Sequence, residues 1–134
     1  MFSRMFNHVN LIEKSMDVML LRQDVISNNI ANADTPDYDA KHIEFETMFR
    51  QAIEDESGFT MKTSSPRHIN AVPNDPLAVS PVEVSETWHT MRMDGNNVDV
   101  EREMVLQAEN TIRYHLAAQQ VNSELGRLRL AITG

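Results

Sequence analysis

A chain of 134 residues, 41% hydrophobic but only 6% aromatic, has material for one small domain with a modest core. Its net charge of −8, with Lys and Arg scattered, argues against nucleic acid, whose phosphates demand clustered cations. The absence of cysteine excludes disulfides and thiolate metal sites.

Nine methionines make up a large share of the apolar residues. Methionine adapts both to irregular cores and to partner surfaces, so the enrichment fits either. Near the start, Arg4, Asn7, His8, Asn10, Glu13, Lys14 and Asp17 interleave with apolar residues. The longest early apolar run, Val18 to Leu21, is too short for a signal-peptide core or a membrane span. A chain that neither spans a membrane nor carries a cleaved signal peptide is expected.

The first element is a long helix. Val9, Ile12, Met16, Met19, Gln23, Ile26, Ile30 and Ala33 recur at alternating spacings of three and four, the mark of a seam that packs on another helix. Leu11, Leu20 and Leu21 widen that surface. Asn10 followed by Glu13 has the capping-box pattern, which places the helix start there or a turn or two earlier. Pro36 disfavours helical geometry at Thr35, so the helix is expected to stop near Ala33 or Asp34. Asn28, Asn29 and Asn32 sit in its last turns, although asparagine is a mediocre helix former. Two readings stand level: a frayed turn with amides in water, or amides that bond between packed subunits.

The middle is irregular. Residues 40–98 hold four of the five prolines and many Ser and Thr. A short helix is predicted over Phe45 to Ile53, with Phe45, Met48, Phe49 and Ala52 on one face. Extended, loop-rich chain follows from Thr60 to Pro81, then short strands at Val82 and Val84 and over Trp88 to Met93.

The turn signal Asp94-Gly95-Asn96-Asn97 precedes a second long helix that starts near Asp99. Asp99 suits the N-cap, and Glu101 and Glu103 put negative charge in the first turn. Val100, Met104, Gln107, Thr111, Tyr114, Ala118, Val121, Leu125, Leu128 and Ile132 form its seam, weakest at Gln107 and Thr111. Arg127 and Arg129 complement the macrodipole near the C-terminal end. No proline interrupts the helix, and Gly126 costs about 1 kcal/mol. At 1.5 Å per residue the helix spans roughly 50 Å, more than so small a core can cover. It must find partners elsewhere.

Sites for chemistry are missing. The histidines at 8, 42, 68, 89 and 115 lack metal-ligand spacing. Asp94 to Asp99 is no calcium loop, because the glycine is second and position twelve is Val105. No serine lies in a Gly-x-Ser-x-Gly elbow, and glycine is too rare for a phosphate-cradling loop. Glu44, Glu46, Glu54, Asp55 and Glu56 read as a solvated surface. No catalytic, cofactor-binding or metal-binding residue is assigned, and no enzyme is expected.

Asn28-Asn29-Ile30-Ala31-Asn32-Ala33-Asp34-Thr35-Pro36-Asp37-Tyr38, with Leu21 and Arg22 upstream, resembles the N-terminal signature of the flagellar rod and hook proteins. The family's usual glycine after the proline is Asp37 here, and Asp tolerates φ > 0 better than most residues. Asp94-Gly95-Asn96-Asn97-Val98-Asp99, Glu103, Glu109-Asn110, Tyr114 and Pro66-Arg67-His68-Ile69 are similar to the proximal rod members.

That resemblance implies a mainly α fold, in which residues 1–35 and 99–134 pair as an antiparallel coiled-coil hairpin and form one core domain. Residues 36–98 become an irregular middle with little or short β structure. It further implies a structural subunit of the proximal rod of the basal body, part of the drive shaft that crosses the periplasm. Ile12, Met16, Met19, Ile26 and Ile30 would form one assembly seam, and Tyr114, Val121, Leu125, Leu128 and Ile132 the other. The signature positions are Asn28, Asn29, Ile30, Ala31, Asn32, Thr35, Pro36 and Tyr38. Implied partners are copies of the chain, other rod proteins, the basal-body protein that joins rod to membrane ring, and the flagellar type III export gate. Phe45 and Phe49 resemble the short recognition pattern of export substrates, and equally fit one face of a packed helix. The alternative function is a secreted helical-hairpin adaptor of the export apparatus that never polymerises.

Overall fold

The computed structural model describes residues 2–55, 75–86 and 93–133. The expectations for Pro66–Ile69, for the loop over 60–74 and for a strand over 88–92 lie outside the described residues. Six elements follow in order: α1 (Phe2–Ala31), β1 (Lys41–Glu44), α2 (Glu46–Asp55), a 3-10 turn (Pro76–Ala78), β2 (Val82–Ser85) and α3 (Val100–Thr133). The chain is mainly helical, and among the described residues its strands form one two-stranded sheet. It divides into two compact units, Met1–Ile43 with Glu83–Gly134, and Glu44–Val82.

In the first unit, α1 and α3 pack as an antiparallel hairpin. Asn96 reaches Asn32, Glu103 reaches Asn29 and Asn110 reaches Met19, so rising numbers on one side meet falling numbers on the other. α1 begins two turns before the capping-box pattern, and Asn10 lies exposed inside the helix, where an amide meets water at little cost. Its end comes at Ala31, before the Ala33 expected from Pro36. There the last turn tightens: Asn32 N donates to both Asn28 O and Asn29 O at 3.1 Å, and Ala33 N to Ile30 O at 3.3 Å.

α3 starts where the sequence places it. Asp99 Oδ1 accepts from Glu101 N at 3.1 Å and Arg102 N at 3.2 Å, satisfying two of the helix's orphan donors. The helix then runs 34 residues, about 51 Å at 1.5 Å per residue. It extends past Arg127 and Arg129, so its last turn holds no basic residue, and Arg127 instead pairs with Glu124 at 3.0 Å.

The core of this unit is thin. Val18, Val25 and Ile26 are buried on α1, and Ile43 on β1. At the hairpin's closed end Ala33, Ala40 and Val98 cluster, with Tyr38 and Val100 packed against them. β1 and β2 are hydrogen-bonded neighbours, and Glu86 N continues the pairing to Ala40 O at 2.8 Å.

The second unit is smaller. Phe45 is buried and stacks on Phe49, with centroids 4.8 Å apart and planes 24° from parallel. α2 packs on the 3-10 turn, and Ala52 and Val79 are fully enclosed. Asp75 caps that turn through Oδ1, which accepts from Leu77 N at 3.0 Å.

Candidate functional site

The asparagines of the signature are structural fasteners. Asn29 is fully buried one turn before the end of α1. Its Nδ2 donates to Lys41 O at 2.7 Å, and its Oδ1 accepts from Lys41 N at 3.0 Å and from the Tyr38 hydroxyl at 3.3 Å. One side chain thus takes the place of a neighbouring strand for Lys41. The same amide lies beside the Glu103 carboxylate on α3 and opposes the rise of its pKa. Asn29 therefore fastens α1 to β1 and lies against α3.

Asn96 does the same for the turn. Also fully buried, it donates through Nδ2 to Asn32 O at 2.9 Å and Thr35 O at 2.8 Å, and accepts from Val98 N at 2.7 Å. Both carbonyls belong to the turn that follows α1, where no helical partner is available. Asn97 accepts from Ala40 N at 2.6 Å and donates to Glu86 O. Asn32 turns back to Asn28 O at 2.8 Å and accepts from the Thr35 hydroxyl at 3.2 Å. Asn28, Ala31 and Pro36 are exposed. The two readings offered by the sequence both miss this arrangement, because Asn29 and Asn32 find their partners within the chain.

Backbone geometry explains the remaining turn residues. Asp37 sits at φ 55° and Gly95 at φ 80°, and Asp37 N donates to Asp94 O at 3.0 Å. Asp37 does adopt the left-handed conformation that the family's usual glycine suits.

Glu103 lies in the first turn of α3, as expected, but its environment differs from that of Glu101. It is buried beneath α1, whereas Glu101 is exposed. Burial pushes its carboxyl above the usual range; the Asn29 amide and the Arg102 guanidinium oppose that rise, and Glu86 and Asp99 add to it. Its Oε2 accepts no hydrogen bond among the described residues. The side chain lines a cleft of about 340 Å³ together with Arg22, Val25, Ile43 and Leu106. At the cleft's edge, Lys41 meets Glu83 at 2.8 Å, and that pairing raises the Lys41 pKa.

Along the seams the picture is graded. On α1, Ile12, Met16, Met19 and Ile30 are half-buried and Ile26 is buried, while the most enclosed stripe, Val18, Val25 and Asn29, runs beside them. On α3, Tyr114, Val121 and Leu128 are half-buried, and Leu125 and Ile132 are exposed. Among the described residues no group of three or more His, Asp or Glu is placed to hold a metal ion. No helix of the described chain is long and apolar enough to cross a membrane.

A second apolar stripe on α3 escaped the sequence reading. Val105, Ile112, Leu116 and Leu130 are separated by seven, four and fourteen residues, which puts them on one face opposite Asn110 and Tyr114. They are 66%, 62%, 60% and 69% exposed. The signal was present in the sequence, but a single seam drawn through each helix passes it by.

Comparison with known proteins agrees with the position of the clamp. A family model described as "Flagella basal body rod protein" matches residues 20–38, the stretch that contains Asn29, Asn32 and Asp37. The chain is 37% identical to the flagellar basal body rod protein FlgB of Borreliella burgdorferi, over 81% of this chain and 82% of that protein. It is 32% identical to the protein of the same name from Bacillus subtilis, covering 92% and 91%. With that of Salmonella typhimurium the identity is 28%, over 100% and 99%.

Proposed function

Since the chain belongs to the FlgB family of flagellar basal body rod proteins, we propose that it is a structural subunit of the proximal rod and a part of the shaft that carries torque from the motor. It contributes surface and stiffness and catalyses nothing. The observation that carries this reading is the outward stripe of α3. Four large aliphatic side chains in line on a helix about 51 Å long are more than scattered surface apolarity, and a line of this kind calls for a partner.

In this reading the α1–α3 hairpin is the repeating element, and its seams and stripe meet copies of the chain, other rod proteins and the protein that joins rod to membrane ring. Contacts of this heterologous type propagate helically. The subunit reaches the periplasm through the flagellar type III apparatus, without a cleaved signal peptide.

The test is location in the assembled organelle. Basal bodies purified from cells that express an epitope-tagged chain should retain it after the outer rings are stripped from the rod. Recovery only in the soluble or export-apparatus fraction would favour a non-polymerising adaptor instead.

A further inference from the structure

The first half of α3 is mounted against the hydrophobic effect. The face it turns to α1 carries Glu103, Gln107 and Asn110, while the opposite face carries Val105, Ile112 and Leu116. Burial of apolar area alone would rotate the helix about half a turn and bring those three aliphatic side chains onto α1. Something specific must hold it the other way.

The structure supplies two points of attachment. Asn110, only 4% exposed, donates through Nδ2 to Met19 O at 2.8 Å and to Gln23 Oε1 at 3.1 Å. Met19 O is a backbone carbonyl, so it fixes which end of the Asn110 amide faces α1. Seven residues earlier, and so on the same face of α3, Glu103 is buried beside the equally buried Asn29 of α1. A bonded point and a buried polar contact at that separation set both the register of α3 and its rotation about its own axis.

Neither point is a comfortable one. Asn110 Oδ1 and Glu103 Oε2 are both buried and accept no hydrogen bond among the described residues. A leucine at 110 would remove an unsatisfied acceptor and add apolar contact, so stability alone favours replacement. Polar groups in a helix seam serve to exclude alternative packings at a cost in stability. A slip by one heptad illustrates the exclusion, since it sets either Ala117 or Glu103 against Met19 O, and neither the methyl nor the carboxylate donates to it.

We propose that Asn110, together with Glu103, is a facing lock that holds the polar side of α3 on α1 and so keeps the stripe Val105–Ile112–Leu116 outward. The use of that stripe rests on the assembly reading above; the lock itself does not.

The absence of cysteine allows a direct test on the full chain. Single Ile112→Cys and Ala117→Cys substitutions report the outer and inner faces of α3 through their rates of maleimide labelling at low protein concentration. In the otherwise unaltered chain the outer thiol should react more than about tenfold faster, since labelling of a packed site waits on local opening. In the Asn110→Leu background that ratio should collapse toward unity or invert, while helicity is kept and the unfolding midpoint does not fall. A hydrogen bond that merely stabilises would give the opposite pair of results, a lower midpoint with the ratio intact, and an intact ratio overturns the proposal. If Asn110→Leu loses helicity, Gln23→Ala, which removes one partner of Asn110 and leaves α3 untouched, must lower the same ratio. An unchanged ratio there overturns it equally. Incorporation into rods plays no part in the readout, so failure of the lock and failure of the assembly reading are told apart.

Discussion

Asp37 and Gly95 face one another across the closed end of the hairpin, both in left-handed backbone, so close that a Cβ on Gly95 would lie 2.5 Å from Asp37 Oδ1. The glycine is needed for its φ, whereas the exposed Asp37 carboxylate has only to turn aside to make room for a Cβ. Gly95→Ala should destabilise the chain by about 1–3 kcal/mol, read as a shift in the urea midpoint. Asp37→Gly should move it the other way by about 0.5–1 kcal/mol, because a left-handed non-glycine residue is relieved. Gly95→Ala with an unshifted midpoint would mean that this turn is not formed in solution.

Asn29 is the member of the clamp with most to lose. Asn29→Ala strands the N–H and C=O of Lys41 and the Tyr38 hydroxyl at once, and takes away the amide that opposes the raised pKa of Glu103. A loss of about 2–4 kcal/mol follows, near the upper range for a single site. Asn28→Ala, at an exposed position, should stay within about 0.5 kcal/mol. Equal effects of the two substitutions in thermal unfolding would remove the distinction between them.

The buried carboxyl of Glu103 makes stability respond to pH. Its folded-state pKa is raised, so the native state holds the proton where the unfolded chain has released it. Stability from this group is therefore greatest below the ordinary glutamate pKa, and it falls as pH rises from there through the raised value. Glu103→Gln, which mimics the protonated form, should be the more stable at neutral pH and converge with the parent on acidification through that window. A difference that does not depend on pH would place the carboxyl in water.

Phe45 and Phe49 have two readings that act at different stages. In the folded chain their rings stack and Phe45 is buried, so the double change to alanine should cost about 3 kcal/mol or more of stability. Export acts on unfolded chain, where stacking is absent, and recognition of the pair there should make secretion of the double variant fall. Secretion at the parental level with failed incorporation would mark the pair as packing residues alone.

Much of this arrangement is written in local sequence. The 3.6-residue period of both helices, the Asp99 cap and the tolerance of Asp37 for positive φ are properties of a few adjacent residues, and each is found in the structure. Long-range pairings are not local. Nothing near Asn29 announces that it will satisfy the backbone of Lys41, and nothing near Asn96 announces the carbonyls of Asn32 and Thr35. β1, four residues of Lys-His-Ile-Glu, is too short and polar for a period-two signal and exists through its partners. Burial of Glu103 was hidden for the same reason, since a carboxylate in a first turn is normally solvated.

In the assembly we propose, α3 packs through its apolar seam, and paired substitutions at neighbouring positions separate that packing from export. Leu128 is half-buried on the seam, whereas Arg127 is exposed and pairs with Glu124. Burying a leucine side chain contributes about 1.5–3 kcal/mol, and an unpaired aspartate in its place costs several more. Arg127→Asp, a surface change, should stay within about 0.5 kcal/mol. The measurement is the amount of each variant exported against the amount found in purified basal bodies. Leu128→Asp should be exported at the parental level yet be absent from the rod, and Arg127→Asp should appear in both. Normal incorporation of Leu128→Asp would mean that the seam does not pack in the rod.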